Sequence, residues 1–491
     1  MKVLIDTNIF IPLETVSVSE IESETHIIND FYRNSKKLDD HIFLLEIQKK
    51  DILSDKNEER KQARLLAFEK YELIANIKET DTIKRVFPNV KENTHDYVDV
   101  CLLNALCANV VSILVTNDEG IHKKARKIEK EENVYYLSEA IDFLNERLPK
   151  DLDVKSSIPI IEKEKCFNIE LKDKIFDSLR DDYKGFDNWF KTKCQEGHRD
   201  CLVVKEQNIM GGICIYKTED KEEATNYGME GFVLKICTFK MSVKGNKLGE
   251  LLLQHLFRYC YDSKVDWIYV TSYEKNYICH FFESFGFEKY AKTKDDTGEL
   301  VFRKRMFPCE DDFNLTSLEY NIKYGPRFFK TTPRAFLVPV IPSYYEDLFP
   351  EFEKSPTLFR YQNSCSNAIR KAYICKSNTK LVEIGDILLF YRSHDDKTIQ
   401  TCGIVENLRR SSNVEEIISI VGKRTVFQIK ELEEKCKRGE SLIILFRQTD
   451  SLTRPVLLTE LIARNLIKGV PQTISRLNED AKNYLLEFRT R

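Results

Sequence analysis

The chain opens on the apolar run Val3-Leu4-Ile5, closed by Asp6, and the same figure returns at Ser112-Ile113-Leu114-Val115-Thr116-Asn117-Asp118. Short unbroken apolar runs of this kind predict strands buried on both faces. Between them, residues 42–50 and 62–77 set apolar side chains three and four apart among Lys and Glu, which predicts helices. Residues 95–106 predict another helix, with Asp96 and Asp99 on one face of its first turns. A further helix is expected from about Gly120. This order of strands and helices predicts a parallel α/β sheet, whose ligand edge lies beyond the carboxyl ends of its strands.

After Pro149 the pattern changes to shorter runs. Residues 201–205 and 212–216 flank the polar pair Gln207-Asn208 and predict a hairpin. Residues 234–241 predict a strand that runs through Val243-Lys244-Gly245-Asn246-Lys247-Leu248-Gly249 into a helix over 251–261. A glycine-bearing turn from strand to helix exposes backbone N–H groups that suit a pyrophosphate. A strand over 266–272 and a helix opened by Asn276, ending at Phe285-Gly286-Phe287, complete this part. Beyond a linker-like stretch after Asp311-Asp312, apolar runs at 335–340, 384–392, 400–406 and 441–446 predict a small curled sheet, with a last helix near 478–486.

A chain of 491 residues is too long for one core, and these changes of pattern predict three domains, over 1–148, 155–307 and 320–491. The 14 cysteines are scattered without paired spacing, which predicts reduced thiols in a cytoplasmic setting and no zinc site. No stretch approaches the roughly 20 apolar residues of a membrane span, and Met1 leads straight into a strand rather than into a signal peptide. The net charge of −3 hides a gradient: −6 over residues 1–150, −2 over 151–310 and +5 over 311–491. The acidic end suits a metal-dependent site and the basic end a phosphate-bearing partner.

Asp6 and Asp118 sit at the predicted ligand edge, and Asp99 can reach it from the helix before the second strand. Either strand-end acid alone reads as a helix N-cap. Together, three carboxylates repel one another unless a cation binds them. The residues "DTN", "DYVDVCLLNA" and "LVTND" resemble the PIN-domain ribonucleases over roughly residues 1–145. That resemblance implies Mg²⁺ or Mn²⁺ held by Asp6, Asp99, Asp118 and a second acid. Glu46, in its Leu-Leu-Glu-Ile setting, is the chosen second acid and Asp51 the alternative. Asn8 and Thr116 would support them.

Over roughly 155–307, the order of elements and the loop with Lys244, Lys247 and Gly249 resemble the GNAT acyl-CoA transferases. The resemblance implies an α+β fold that binds acetyl-CoA through Lys244, Gly245, Asn246, Lys247, Leu248 and Gly249. Cys237 and Phe239 would offer backbone groups to the pantetheine arm, and Asn276 would touch the cofactor. The position where the family carries its proton-donating Tyr holds Phe282, with His280 and Tyr277 as neighbouring candidates.

Over about 334–490, "GDILLFYRS" and "GIVE" resemble the PUA-like group, particularly its ASCH and EVE branches, and imply a small β-barrel that holds RNA. Candidate contacts are Tyr391, Arg392, His394, Lys423, Arg424, Arg447 and Gln472, whose planes stack on bases or whose charges meet phosphate. The three resemblances together imply an α/β multidomain, RNA-directed enzyme acting on tRNA or another translation RNA, toxin-like and with an antitoxin-like protein partner. The alternative is an acetyltransferase of a protein or small molecule with two regulatory binding modules.

Overall fold

The structure is a computed structural model that describes residues 1–13, 31–32, 34–35, 40–75, 77–92, 94–147, 160–206, 209–241, 247–273, 278–293, 298–352, 364–395, 397–427 and 429–490. Two compact units divide the chain: Met1–Val154 with Arg410–Ser441, and Lys155–Arg409 with Leu442–Arg491. The three sheets lie within residues 2–135, 160–305 and 335–476.

The first unit is built from β1 (Lys2–Ile5), α1 (Thr7–Leu13), β2 (His41–Leu45), α2 (Lys49–Leu53), α3 (Glu58–Phe68), β3 (Glu72–Ile74), α4 (Asp81–Val86), α5 (His95–Cys107), β4 (Ile113–Val115), α6 (Glu119–Lys127), β5 (Val134–Tyr135) and α7 (Leu137–Arg147). Its strands are all parallel, in the order β3-β2-β1-β4-β5. Val3, Leu4, Ile5, Ile113, Leu114 and Val115 are fully buried, as expected of strands covered on both faces. The helical period read over 42–50 is in fact two elements. His41–Leu45 pairs with β1, because its apolar run is worth more inside the sheet than on a helix surface. The pattern over 62–77 likewise splits into α3 and the edge strand β3.

Two helices that leave the C-terminal sheet, Val414–Val421 and Ile429–Lys437, belong to this first unit. Ile417, Ile418, Val421, Val426 and Phe427 are buried there. Asn133 Nδ2 donates to the Ile418 carbonyl at 3.3 Å, and Arg424 Nε lies 3.3 Å from Glu132 Oε1.

The second unit begins with β6 (Ile160–Lys165), β7 (Asp200–Glu206), β8 (Ile209–Thr218), β9 (Val233–Met241), α8 (Leu248–Asp262), β10 (Trp267–Ser272), α9 (Ile278–Ser284), β11 (Glu288–Lys292) and β12 (Leu300–Arg305). The sheet order is β11-β12-β10-β9-β8-β7-β6, with β9 and β10 parallel and the other pairs antiparallel. One face packs on α8 and α9 through Leu252, Leu256, Phe282 and Phe285. Phe176, Phe186 and Phe190 cover the other, against Cys201, Val203, Ile213 and Ile215.

The rest of the unit holds α10 (Ser317–Tyr324), β13 (Ala335–Val340), β14 (Arg370–Cys375), β15 (Ile387–Arg392), β16 (Thr398–Ser411), β17 (Ser441–Gln448), β18 (Val456–Leu457), β19 (Ser475–Arg476) and α11 (Glu479–Leu486). The expected barrel is not formed among the described residues. The sheet runs β14-β17-β16-β15-β13-β19, and its path stays open. Its last strand, β19, has two residues and pairs with β13 alone, too short to reach round to β14. The helix between the two sheets, α10, is bonded to the first of them by buried groups. Tyr261 on α8 donates to the Tyr324 carbonyl at 3.0 Å, and Lys304 on β12 donates to the carbonyls of Ile322 and Lys323.

Candidate functional site

In the first unit the register pairs Ile5 with Val115, so the residues that follow each strand emerge side by side. Asp6 donates its N–H to the Val115 carbonyl at 3.0 Å. Its carboxylate accepts from the Thr116 hydroxyl at 2.7 Å and from the Thr7 N–H at 2.6 Å. The Thr116 hydroxyl in turn accepts from Asn8 Nδ2 and the Asp118 N–H, each at 3.0 Å. Asn8 and Thr116 therefore do hold the strand-end acids in place, through one shared hydroxyl.

Asp6 is buried, and burial lifts its carboxyl to a pKa of about 7, with the Asp99 and Asp118 charges adding to the rise. Asp99 is raised as well, by burial first and then by Asp118 and Asp96, against the pull of Lys124. These three acids thus converge. Glu46 does not join them: it is exposed and opens the turn Glu46–Gln48. The nearer second acid is Asp51, whose Oδ2 accepts from the Thr7 hydroxyl at 3.0 Å.

The convergence does not fit a resident Mg²⁺ or Mn²⁺. Lys124 Nζ lies 2.6 Å from Asp99 Oδ2 and 2.8 Å from Asp96 Oδ1. Asp118 Oδ1 caps α6 by accepting from the N–H groups of Gly120 and Ile121. Among the described residues no group of three or more His, Cys, Asp or Glu stands ready to hold a metal ion. Hard divalent cations need several free carboxylate oxygens in one small cage, and here both oxygens of Asp6 and one each of Asp99 and Asp118 are already engaged. Sequence reasoning missed Gln48, fully buried, which donates to the Ile5 carbonyl at 3.1 Å and accepts from the Leu45 N–H at 2.7 Å. It missed Lys124 too. A lysine on an amphipathic helix carries no local sign that its partners lie on another element.

The second unit holds a different feature. The parallel ladder of β9 and β10 ends at Ile236–Val270, while β9 continues to Met241. Across β9, Tyr216 pairs with Ile236 and Ile215 with Thr238, so Cys237 is the extra residue of a β-bulge. A bulge bends its strand and strengthens its twist, and this one lies where β9 leaves β10. Beyond the last shared rung, Thr238–Met241 of β9 have no ladder partner on the β10 side among the described residues, and this gap between the strands is the cleft of the second unit.

The first turn of α8 stands beyond that cleft. Lys247 caps it in the left-handed conformation, φ 55°, and its Nζ lies 3.1 Å from Glu250 Oε1. Gly249 faces the rings of Phe281 and Phe239, where a Cβ would stand 3.5 Å and 3.7 Å away, in ordinary contact. Leu248 is buried. Lys244, Gly245, Asn246, Asn276 and Tyr277 lie outside the described residues, as does the side chain of His280. Phe282 is wholly buried against Phe239 and Phe287, with ring centroids at 5.3 Å and 4.8 Å. It is a core residue. Burial pushes the Cys237 thiol up to about 11, so that group is neutral near pH 7. At the end of β10, Tyr273 stacks on Tyr183 with centroids 5.5 Å apart, and Tyr183 donates to Glu299 Oε1 at 3.0 Å.

The side chains expected to read RNA do not form one surface. Tyr391 is buried and donates to the Pro471 carbonyl. Arg392 is paired with Glu346 and Asp395, each at 2.6 Å. Arg447 is buried, donates to the Ser284 carbonyl at 3.0 Å and lies over the Phe285 ring. Arg424 belongs to the first unit, beside Glu132, and the side chain of Lys423 is outside the described residues. His394 and Gln472 are exposed. Arg392, Arg424 and Arg447 are thus engaged within the fold. No helix among the described residues is long and apolar enough to cross a membrane.

No family model matches the chain, and no curated protein does. Among solved structures, the ASCH protein from Zymomonas mobilis is similar at 12% identity, with 32% of this chain and 96% of that one covered and a TM-score of 0.26. An N-acetyltransferase from Staphylococcus aureus is similar at 15% identity, with 30% and 99% covered and a TM-score of 0.24. The PaiA N-acetyltransferase from Thermoplasma acidophilum, solved in complex with coenzyme A, shares 11% identity, with 30% and 99% covered and a TM-score of 0.24. Likenesses this slight leave the function to the chemistry of the site itself.

Proposed function

We propose that the second unit is an acyl-CoA-dependent acyltransferase whose cofactor enters between β9 and β10. The observation that carries this reading is the ladder that stops at Ile236–Val270 while β9 runs on past the Cys237 bulge. A strand edge without a neighbouring strand offers N–H and C=O groups in strand spacing, which the two amides of a pantetheine arm can meet. The N-terminus of α8, 15 residues long, stands at the same end and favours the phosphates. Phe239 and Phe281, partly exposed and backed by the buried Phe282, wall the α8 side of the cleft with apolar surface.

Bound acyl-CoA would supply an activated thioester. The roles left to the chain are orientation by the β9 backbone, exclusion of water by the phenylalanine wall and presentation of an acceptor. Tyr183, Tyr273 and Glu299 stand at the end of β10 on the face opposite α8, where an acceptor would meet the thioester. Phe282 supplies no proton to the leaving thiolate. The net charge of +4 over residues 311–409 and 442–491, the part of that stretch that belongs to this unit, keeps RNA as a candidate partner.

The test is acetyl-CoA binding to the full chain by titration calorimetry, with and without tRNA. Binding that weakens about tenfold in Lys247→Glu supports the reading. A wild-type chain that takes up no acetyl-CoA sinks it.

A further inference from the structure

In the first unit, the convergence of Asp6, Asp99 and Asp118 raises a physical question that the cleft of the other unit does not touch. Carboxylates that raise one another's proton affinity are held together at a cost, unless a positive charge stands among them. The expected solution is a divalent ion, but the structure contains another. Lys124 reaches from α6, the helix that Asp118 caps, to Asp99 and Asp96 on α5. Its ammonium lies 2.6 Å and 2.8 Å from those two carboxylates, and its side chain is 18% exposed, so much of its hydration has been given up for them. A second lysine in the same helix, Lys127, adds its charge to Asp96 from further off.

We propose that Lys124 is the resident cation of this carboxylate edge, so that the unit holds its acids together without Mg²⁺ or Mn²⁺. The ammonium sits on the same chain as its partners, and a tethered charge competes at an effective concentration in the millimolar range. A free divalent ion must displace it and also find six oxygen ligands at about 2.1 Å, with Asp118 Oδ1 already bonded to two amides. The edge is therefore a latent metal site with its key position filled from within. A unit built this way has no metal-activated water.

Replacing Lys124 by methionine keeps the apolar stem and removes the charge. Binding of Mn²⁺ to the full chain can be followed by the loss of the free-ion signal in electron paramagnetic resonance. The expected result is that Lys124→Met gains a Mn²⁺ site at least about tenfold tighter than anything in the wild type. That gain should vanish in Lys124→Met/Asp99→Asn. Lys124→Met should also melt at a lower temperature than wild type and recover when Mn²⁺ is added. Lys124→Arg, which keeps the charge, should bind no more Mn²⁺ than wild type. The proposal fails if the wild type already binds Mn²⁺ as tightly as Lys124→Met. It fails equally if Lys124→Met folds, by circular dichroism, yet gains no site.

Discussion

The carboxylate of Glu250, on the first turn of α8, accepts the backbone N–H of Ile369 at 2.8 Å, across a sequence separation of 119 residues. It also accepts from the Arg370 N–H at 3.4 Å and pairs with Lys247 through its other oxygen. The helix expected to hold the cofactor is thus bolted to the C-terminal sheet of its own unit. On the far side of the cleft, Arg447 of β17 donates to the Ser284 carbonyl at the end of α9. Both helices beside the splayed strands are anchored to the same second sheet. The C-terminal part of the unit is a mount for the cleft, whatever else it binds.

Glu250→Ala should therefore cost the second unit stability. It strands two backbone donors and a lysine in a buried place, a loss of about 2–4 kcal/mol. Glu250→Gln keeps an acceptor for Ile369 and should cost less. Urea unfolding of both variants measures the difference, and equal losses would show that the N–H bonds carry little of the anchoring.

His255 on α8 gives the acid limb of the stability curve a predictable shape. Burial pulls its pKa from 6.5 down to about 4, and the Arg258 charge pulls it further the same way. The folded state therefore binds fewer protons than the unfolded chain between those values. Stability from this group is fully present above about pH 6.5 and is lost as pH falls toward 4. The bound is about 3 kcal/mol from the shift alone, and solvent screening reduces it. His255→Gln should flatten the decline in melting temperature between pH 6.5 and 4. An unchanged slope would remove His255 from the account.

Cys237 should be a poor nucleophile even though it lies at the opening of β9 and β10. With its pKa near 11, its thiolate fraction at pH 8 is about two orders of magnitude below that of an ordinary thiol. Mass-spectrometric mapping after a short iodoacetamide pulse should find it modified far more slowly than glutathione under the same conditions. Fast labelling would mean that the bulge leaves the thiol in water.

How much of this could be read in sequence depended on range. The run into Asp6 and its repeat before Asp118 are local patterns, and the parallel sheet follows from them. The glycine-bearing turn before α8 is local as well. The bulge at Cys237 is not, because it arises from pairing with Ile215 and Tyr216, some twenty residues away in the chain. The Lys124 bridge to Asp99 joins two helices, and each helix alone reads as an ordinary charged surface. The flanking residues favour Glu46 over Asp51, yet the Thr7 hydroxyl that engages Asp51 belongs to the strand-end segment. Three of the arginines expected to read RNA are engaged inside the fold for the same reason. Arg392, Arg424 and Arg447 meet acids or carbonyls that are remote in sequence or set by the fold.

The allocation of residues 410–441 to the first unit was equally hidden, and it makes the sharpest mutational prediction. These residues leave at the end of β16 and return at the start of β17, so the sequence places them inside the C-terminal sheet. In the structure Gly422 has φ +49° and packs on the backbone of Glu132, where a Cβ would stand 2.3 Å from the carbonyl oxygen. Glycine is required twice here, by the left-handed backbone and by the close approach. Gly422→Ala should cost about 2–4 kcal/mol, from backbone strain and overpacking together. The loss should fall on the first unit. Hydrogen exchange should speed up in β1, β4 and α5, while β9 and α8 keep their protection. Faster exchange in the second unit alone would mean that the inserted helices belong with the sheet they leave.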